Sequence, residues 1–153
     1  MKKLAIELGL INQKYQPDLA SLSEEDFSHE KGAGKWTKKQ ELGHLIDSAQ
    51  NNLRRFIVSQ YEDQPKITYN QEEWVLASNY QSIPASDIIS LWSLLNKQIC
   101  EVIRNVLPAN EEKLCNTGKE TPELKSIKWL AEDYIRHLKH HLHHILDLEP
   151  VSY

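Results

Sequence analysis

The chain is poor in the residues that build several protein classes. It has only two cysteines, Cys100 and Cys115, with no CxxC spacing. That is too few for a disulfide framework, so both are expected as reduced thiols. No apolar run approaches the roughly 18 residues a bilayer-spanning helix needs. The opening stretch "MKKLAIELGLINQKY" starts basic but is broken by Glu7, Asn12, Gln13 and Lys14. It lacks the apolar segment and small-residue cleavage site of a signal peptide. These absences point to the cytoplasm and to no membrane partner. Basic charge is also short: the formal net charge is −4. Nucleic-acid binding needs a basic stripe to displace counterions, so that class is excluded as a partner. There is no GxSxG, no phosphate loop and no cysteine near a candidate ligand, so covalent catalysis by a protein nucleophile is not expected. No stretch alternates convincingly with period two, and no repeat of fixed length is found.

What is present is helical. The chain's 153 residues, 40% hydrophobic and 26% charged, suit one domain, residues 1–153, with a real core. The first helix is expected from Lys2 to the low twenties, with Pro17 kinking or ending it. "SHEKGAGKW" reads as a loop. Thr37 followed by Gln40 is a capping-box signature, and Leu42, Leu45, Ile46, Ala49, Leu53, Phe56 and Ile57 keep a helical period to about Gln60. "YEDQPKITY" is a connection and "QEEWVLASN" a short helix. Pro84 suits the start of a long helix that Pro108 ends. "PANEEKLCNTGKETPELK" reads as a polar loop. Ser126 caps a last helix from Ile127 to Leu146. Four long amphipathic helices predict an all-α fold, a four-helix bundle.

Five of the seven histidines fall in "RHLKHHLHHI", residues 136 to 145. Such a tract can bind metal, respond to pH, or form a polar helix face. A wheel at about 100° per residue divides them. With His137 at zero, the apolar residues fill an arc from about 20° to about 180°. His141 lies inside it at about 40°, and His137 at its edge. His144 falls just outside; His140 and His143 lie on the polar side and are expected in solvent. His137 and His141 are therefore the pair that is i, i+4 and directed inward, the spacing at which two imidazoles converge on one ion. Two hydrogen-bonded structural histidines would share that spacing. His144 is a second-layer or substitute ligand by position. Of the rest, His29 falls in a polar loop. His44 lies in a polar stripe with Glu41, Ser48, Asn52 and Arg55 that faces either water or a polar cleft.

"KWTKKQELGHLIDSAQNNLRRFI" resembles the second-helix signature of the DinB/YfiT-like superfamily of four-helix-bundle metalloenzymes, with Trp36, Thr37, His44, Leu45 and Asp47 at the matching places. "WLAEDYIRHLKHHLHHI" is similar to the family's last helix, with its HxxxH pair at His137 and His141 and a trailing apolar residue at Ile145. Arg136 and Leu138 depart from the Trp and Gly that YfiT-like relatives often carry there. The resemblance implies a divalent metal held by His44, His137 and His141, and a homodimer.

Three neutral imidazoles suit zinc or nickel, and three protein ligands leave a position open for chemistry. That position can activate water for hydrolysis or a low-molecular-weight thiol for transfer. Characterised members of the family resemble thiol S-transferases and thiol-dependent isomerases. The expected activity is thus transfer of a small-molecule thiol to an electrophilic substrate. A metal-dependent hydrolase, or a non-catalytic bundle binding metal or small molecules, is the alternative. Asp47, one turn after His44, is the candidate acid–base residue. A solvated carboxylate is the plainer reading of it, and Glu41 and Arg55 could meet a polar substrate from the same stripe.

Overall fold

The computed structural model describes residues 1–30, 32 and 34–150. Its long helices are α1 (Lys2–Ala20), α3 (Lys38–Val58), α5 (Ala85–Asn105) and α6 (Ile127–Ile145), with two short ones, α2 (Glu24–Ser28) and α4 (Gln71–Ser78). α1 packs on α5 and α6, and α3 packs on α5 and α6, so the four long helices close into a bundle. Among the described residues, no helix is long and apolar enough to cross a membrane.

Helical periodicity explains which faces meet. α1 buries Ala5, Leu8, Ile11, Tyr15 and Leu19; α5 buries Ile88, Trp92, Ile99 and Ile103. Each of the leucines and isoleucines contributes roughly 1.5–3 kcal/mol on leaving water. Pro17 stays inside α1 rather than ending it, and the helix runs on to Ala20. Both cysteines are free and buried. In the core the Tyr134 hydroxyl donates to Asn96 Oδ1 at 2.7 Å, and Asn96 Nδ2 donates to the Trp92 carbonyl at 2.9 Å. A buried polar pair is thereby satisfied within an apolar surround.

The caps set where the site-bearing helices begin. The Thr37 side chain accepts from Gln40 N, and the Gln40 side chain accepts from Thr37 N at 3.0 Å. Ser126 Oγ accepts from Trp129 N at 3.2 Å and starts α6. The reciprocal cap at Thr37 and the one-way cap at Ser126 satisfy otherwise orphaned N–H groups.

Two elements differ from the sequence reading. The expected polar loop between α5 and α6 contains an antiparallel pair, β1 (Leu114–Asn116) and β2 (Leu124–Ser126), in register Leu114↔Ser126 and Asn116↔Leu124. Three residues per strand are too few to show an alternation. The run after Ala20 also folds as α2, opened by a capping box between Ser23 and Asp26. α2 is useful structurally: Glu24 pairs with the buried Lys39 at the start of α3 and accepts from Ala85 N at the start of α5.

Candidate metal centre

α3 and α6 lie side by side, and their polar faces meet. The stripe left ambiguous by the sequence is turned inward: Glu41, His44, Ser48 and Asn52 are all buried. The reason is complementarity. Glu41 and His44 on α3 meet His137, His141 and His144 on α6, so the α3 side of this contact leaves water.

His44, His137 and His141 come together there, each with a ligand-capable nitrogen within 4.8 Å of the others. The Nε2 atoms of His44 and His137 are 3.1 Å apart. Ring centroids are 5.0 Å apart for His44 and His137, 5.0 Å for His44 and His141, and 4.5 Å for His137 and His141. Trp36 closes one side, its ring centroid 5.0 Å from that of His44.

The electrostatics favour uncharged rings. Burial pushes the His44 imidazolium down to about 4, with His141 adding to the effect. Burial likewise pushes His137 down to about 3, helped by His141 and His44. A neutral imidazole keeps a lone pair to donate. His44 Nδ1 is buried with no hydrogen-bond partner, so its other nitrogen, Nε2, is the one engaged. Two nitrogens each about 2.0–2.1 Å from a tetrahedral ion would sit roughly 3.3 Å apart. The 3.1 Å between His44 and His137 is close to that spacing. The donor set fits a late divalent cation.

The remaining histidines separate. His144 Nδ1 lies 2.6 and 2.8 Å from the two oxygens of Glu41, and His141 Nδ1 lies 2.9 Å from Glu41 Oε1. His140 is exposed beside His141, and His29 is exposed just past α2. His143 corrects the expectation of a solvated side chain. It is half-buried, with Nε2 2.8 Å from the Tyr15 hydroxyl and Nδ1 2.7 Å from the Glu149 carbonyl oxygen. α1 covers that side of α6, which a wheel of α6 alone does not register.

Asp47 is buried, which sets aside the solvated reading. Tyr80 donates to its Oδ1 at 2.6 Å, while Oδ2 has no hydrogen-bond partner. Burial raises its carboxyl to about 6, against the lowering by Tyr80. Arg55 turns to the Ile67 carbonyl, donating from Nε at 3.2 Å and Nη2 at 3.0 Å, and so ties α3 to the connection after it. Glu41 is the acid that sequence reasoning undervalued. Burial alone would raise its carboxyl, but hydrogen bonds from His141 and His144 outweigh that and hold it below its ordinary value. Its signal was present in the sequence: Glu41 lies one turn before His44 on the same stripe.

A cleft of about 590 Å³ reaches the cluster from outside, lined by Lys35, Trp36, Glu41, Glu72, His141 and His144 among others. That volume is ample for a small molecule. His141 belongs to both the cleft and the three-histidine cluster.

Comparison with known proteins bears on the family and the fold. A relative from Oceanobacillus iheyensis, named "putative metal-dependent hydrolase", is 33% identical over 131 residues, which is 83% of this chain and 73% of that one. The solved structure of YfiT from Bacillus subtilis, described as a probable metal-dependent hydrolase with an unusual four-helix-bundle topology, superposes with a TM-score of 0.85. It is 22% identical, with 95% of this chain and 83% of that chain covered. A mycothiol-dependent maleylpyruvate isomerase shares the fold at a TM-score of 0.74 and 12% identity; the match covers 98% of this chain but only 61% of that one. The family model for the DinB superfamily matches residues 12–145, both histidine-bearing helices included, and this chain belongs to that superfamily.

Proposed function

We infer that the chain is a metal-dependent enzyme in which His44, His137 and His141 hold a divalent ion, zinc or nickel by donor type, and a small-molecule thiol is transferred to an electrophilic substrate in the adjoining cleft. The observation that carries the reading is the convergence of three imidazoles, two held neutral by burial, beside an open cleft. A divalent ion bound by three protein ligands supplies Lewis-acid activation at a remaining position.

The chain's own residues favour a thiol over water as the nucleophile. Hydrolysis gains from a carboxylate free to take a proton. Glu41 is the carboxylate nearest the cluster, and both of its oxygens already accept from imidazoles. Asp47 gives one oxygen to Tyr80, and its other oxygen, though unpartnered, is buried and does not line the cleft. A thiol activated by a metal is deprotonated outright and makes less demand on a protein base. Its proton would leave to solvent through the cleft. The sulfur would then form a bond to the electrophilic carbon, and the leaving group would depart with its electron pair. Trp36 supplies an apolar wall, and Lys35 and Glu72 supply opposite charges for orienting a polar substrate. The fold shared with a mycothiol-dependent isomerase supports the same reading.

Hydrolysis is the second reading, and the names of the relatives favour it. One comparison separates the two. Protein purified without a histidine tag and loaded with zinc or nickel is incubated with a chloro-aromatic electrophile, with and without a panel of cellular thiols, and conjugate is measured. Esters and amides are offered separately without thiol. Metal-dependent conjugation supports thiol transfer. Cleavage without conjugation overturns it in favour of a hydrolase, and a filled site with neither activity makes the protein a binding bundle.

A further inference from the structure

We propose that Glu41 is a positioning residue that fixes which nitrogen His141 presents to the cluster, with His144 holding the carboxylate through contacts to both of its oxygens. The proposal rests on the reading of His44, His137 and His141 as metal ligands.

The geometry is a short zipper between two helices. On α3, Glu41 and His44 are one turn apart; on α6, His137, His141 and His144 follow at i, i+4 and i+7. His44 meets His137 and His141, while Glu41 meets His141 and His144. His141 is the residue common to both contacts. Glu41 is 4% exposed, whereas the His144 side chain is 64% exposed at the rim of the cleft.

The chemistry follows from donor and acceptor counts. An ionised carboxylate accepts and cannot donate. With Glu41 Oε1 at 2.9 Å, Nδ1 of His141 must therefore carry the hydrogen. Neutral His141 then has its lone pair on Nε2, the atom free to join the Nε2 atoms of His44 and His137. Without Glu41 the ring could equally place its hydrogen on Nε2, the form that cannot ligate. The contacts from His144, at 2.6 and 2.8 Å, engage both Glu41 oxygens and restrain the carboxylate's rotation. Carboxylates behind ligating histidines are typically worth about 10–100-fold in metal affinity.

The test uses the full chain. Zinc affinity is measured by chelator competition for the wild type, Glu41→Gln, His144→Ala and His141→Ala, with cobalt absorption as a signature of coordination. Glutamine is nearly isosteric, but its uncharged carbonyl accepts more weakly than the carboxylate oxygen shared by His141 and His144, and its amide cannot accept where Oε2 meets His144. Glu41→Gln should weaken zinc about 10–100-fold and alter the cobalt spectrum while the protein stays folded. His144→Ala should weaken it less, because the bond from His141 survives. Independently of any variant, long-range nitrogen–proton NMR on the wild-type apo-protein should show His141 protonated at Nδ1. Wild-type zinc affinity retained in Glu41→Gln, or His141 protonated at Nε2, overturns the proposal while leaving the metal centre standing. Loss in His144→Ala as large as in His141→Ala would make His144 a ligand and also overturn it. A wild type that binds no stoichiometric zinc removes the metal centre itself, and the proposal with it.

Discussion

Nε2 of His44 and Nε2 of His137 face one another at 3.1 Å across two helices, 93 residues apart in sequence. Only one of them can hold a hydrogen at that separation, and burial makes it costly for either ring to be charged. Such an arrangement is poor for stability alone and suited to a shared ligand. Replacing His44, His137 or His141 singly with alanine is expected to abolish stoichiometric metal. His140→Ala and His143→Ala are expected to leave it intact. Metal analysis of untagged protein checks this, and equal loss from all five would mean loose chelation by a surface cluster.

Tyr80 lies where any side chain at position 43 would be. A Cβ built on Gly43 would fall 2.1 Å from the Tyr80 ring. This close approach lets the Tyr80 hydroxyl reach Asp47 one turn further along α3. Alanine in a helix interior normally gains up to about 1 kcal/mol over glycine. Gly43→Ala is expected to reverse that sign and lose about 1–3 kcal/mol, because ring and helix must separate. Chemical denaturation measures it, and a stabilised variant would rule out the packing described.

The bundle was legible because the apolar faces of α1, α3, α5 and α6 keep a helical period over many turns. His137 and His141 were legible for the same reason, as inward positions four apart. His44 was not, because periodicity marks apolar burial, whereas His44 is buried by a polar face meeting another polar face. Only its likeness to a family signature pointed to it. Glu41 was hidden in the same way, since its partners His141 and His144 lie 100 and 103 residues away. The hairpin Leu114–Asn116 with Leu124–Ser126 escaped because its pairing depends on neighbours in space, including a bridge between Lys66 and Asn116.

His143 has a structural task. Its Nε2 meets the Tyr15 hydroxyl at 2.8 Å, joining α6 to α1 near the end of both helices. Tyr15→Phe and His143→Ala are each expected to cost about 0.5–1.5 kcal/mol, the usual net worth of such a bond. The double variant should cost less than the two losses added, because the second change has no bond left to remove. Strict additivity in denaturation experiments would show that the two side chains do not interact.

Asp47 gives the fold a pH dependence whose sign can be worked out. Its carboxyl rises from an ordinary 3.8 to about 6 in the folded protein, chiefly because burial penalises the charge. A raised acid binds its proton more tightly when folded than when unfolded. Its contribution is fully present below pH ~4 and is lost as pH rises through ~6. Above that, the folded state holds a carboxylate with one oxygen on Tyr80 and the other unpartnered. Asp47→Asn keeps an oxygen for the Tyr80 hydroxyl and removes the charge. The variant is expected to be about 1–2 kcal/mol more stable than wild type at pH 8, with the gap closing towards pH 4. Denaturation across that range checks it in apo-protein, where metal linkage is absent. A gap that widens at low pH would mean Asp47 is stabilised as a carboxylate. Its role would then be that of a charged partner, and the proton-holding acid inferred from its burial would be wrong.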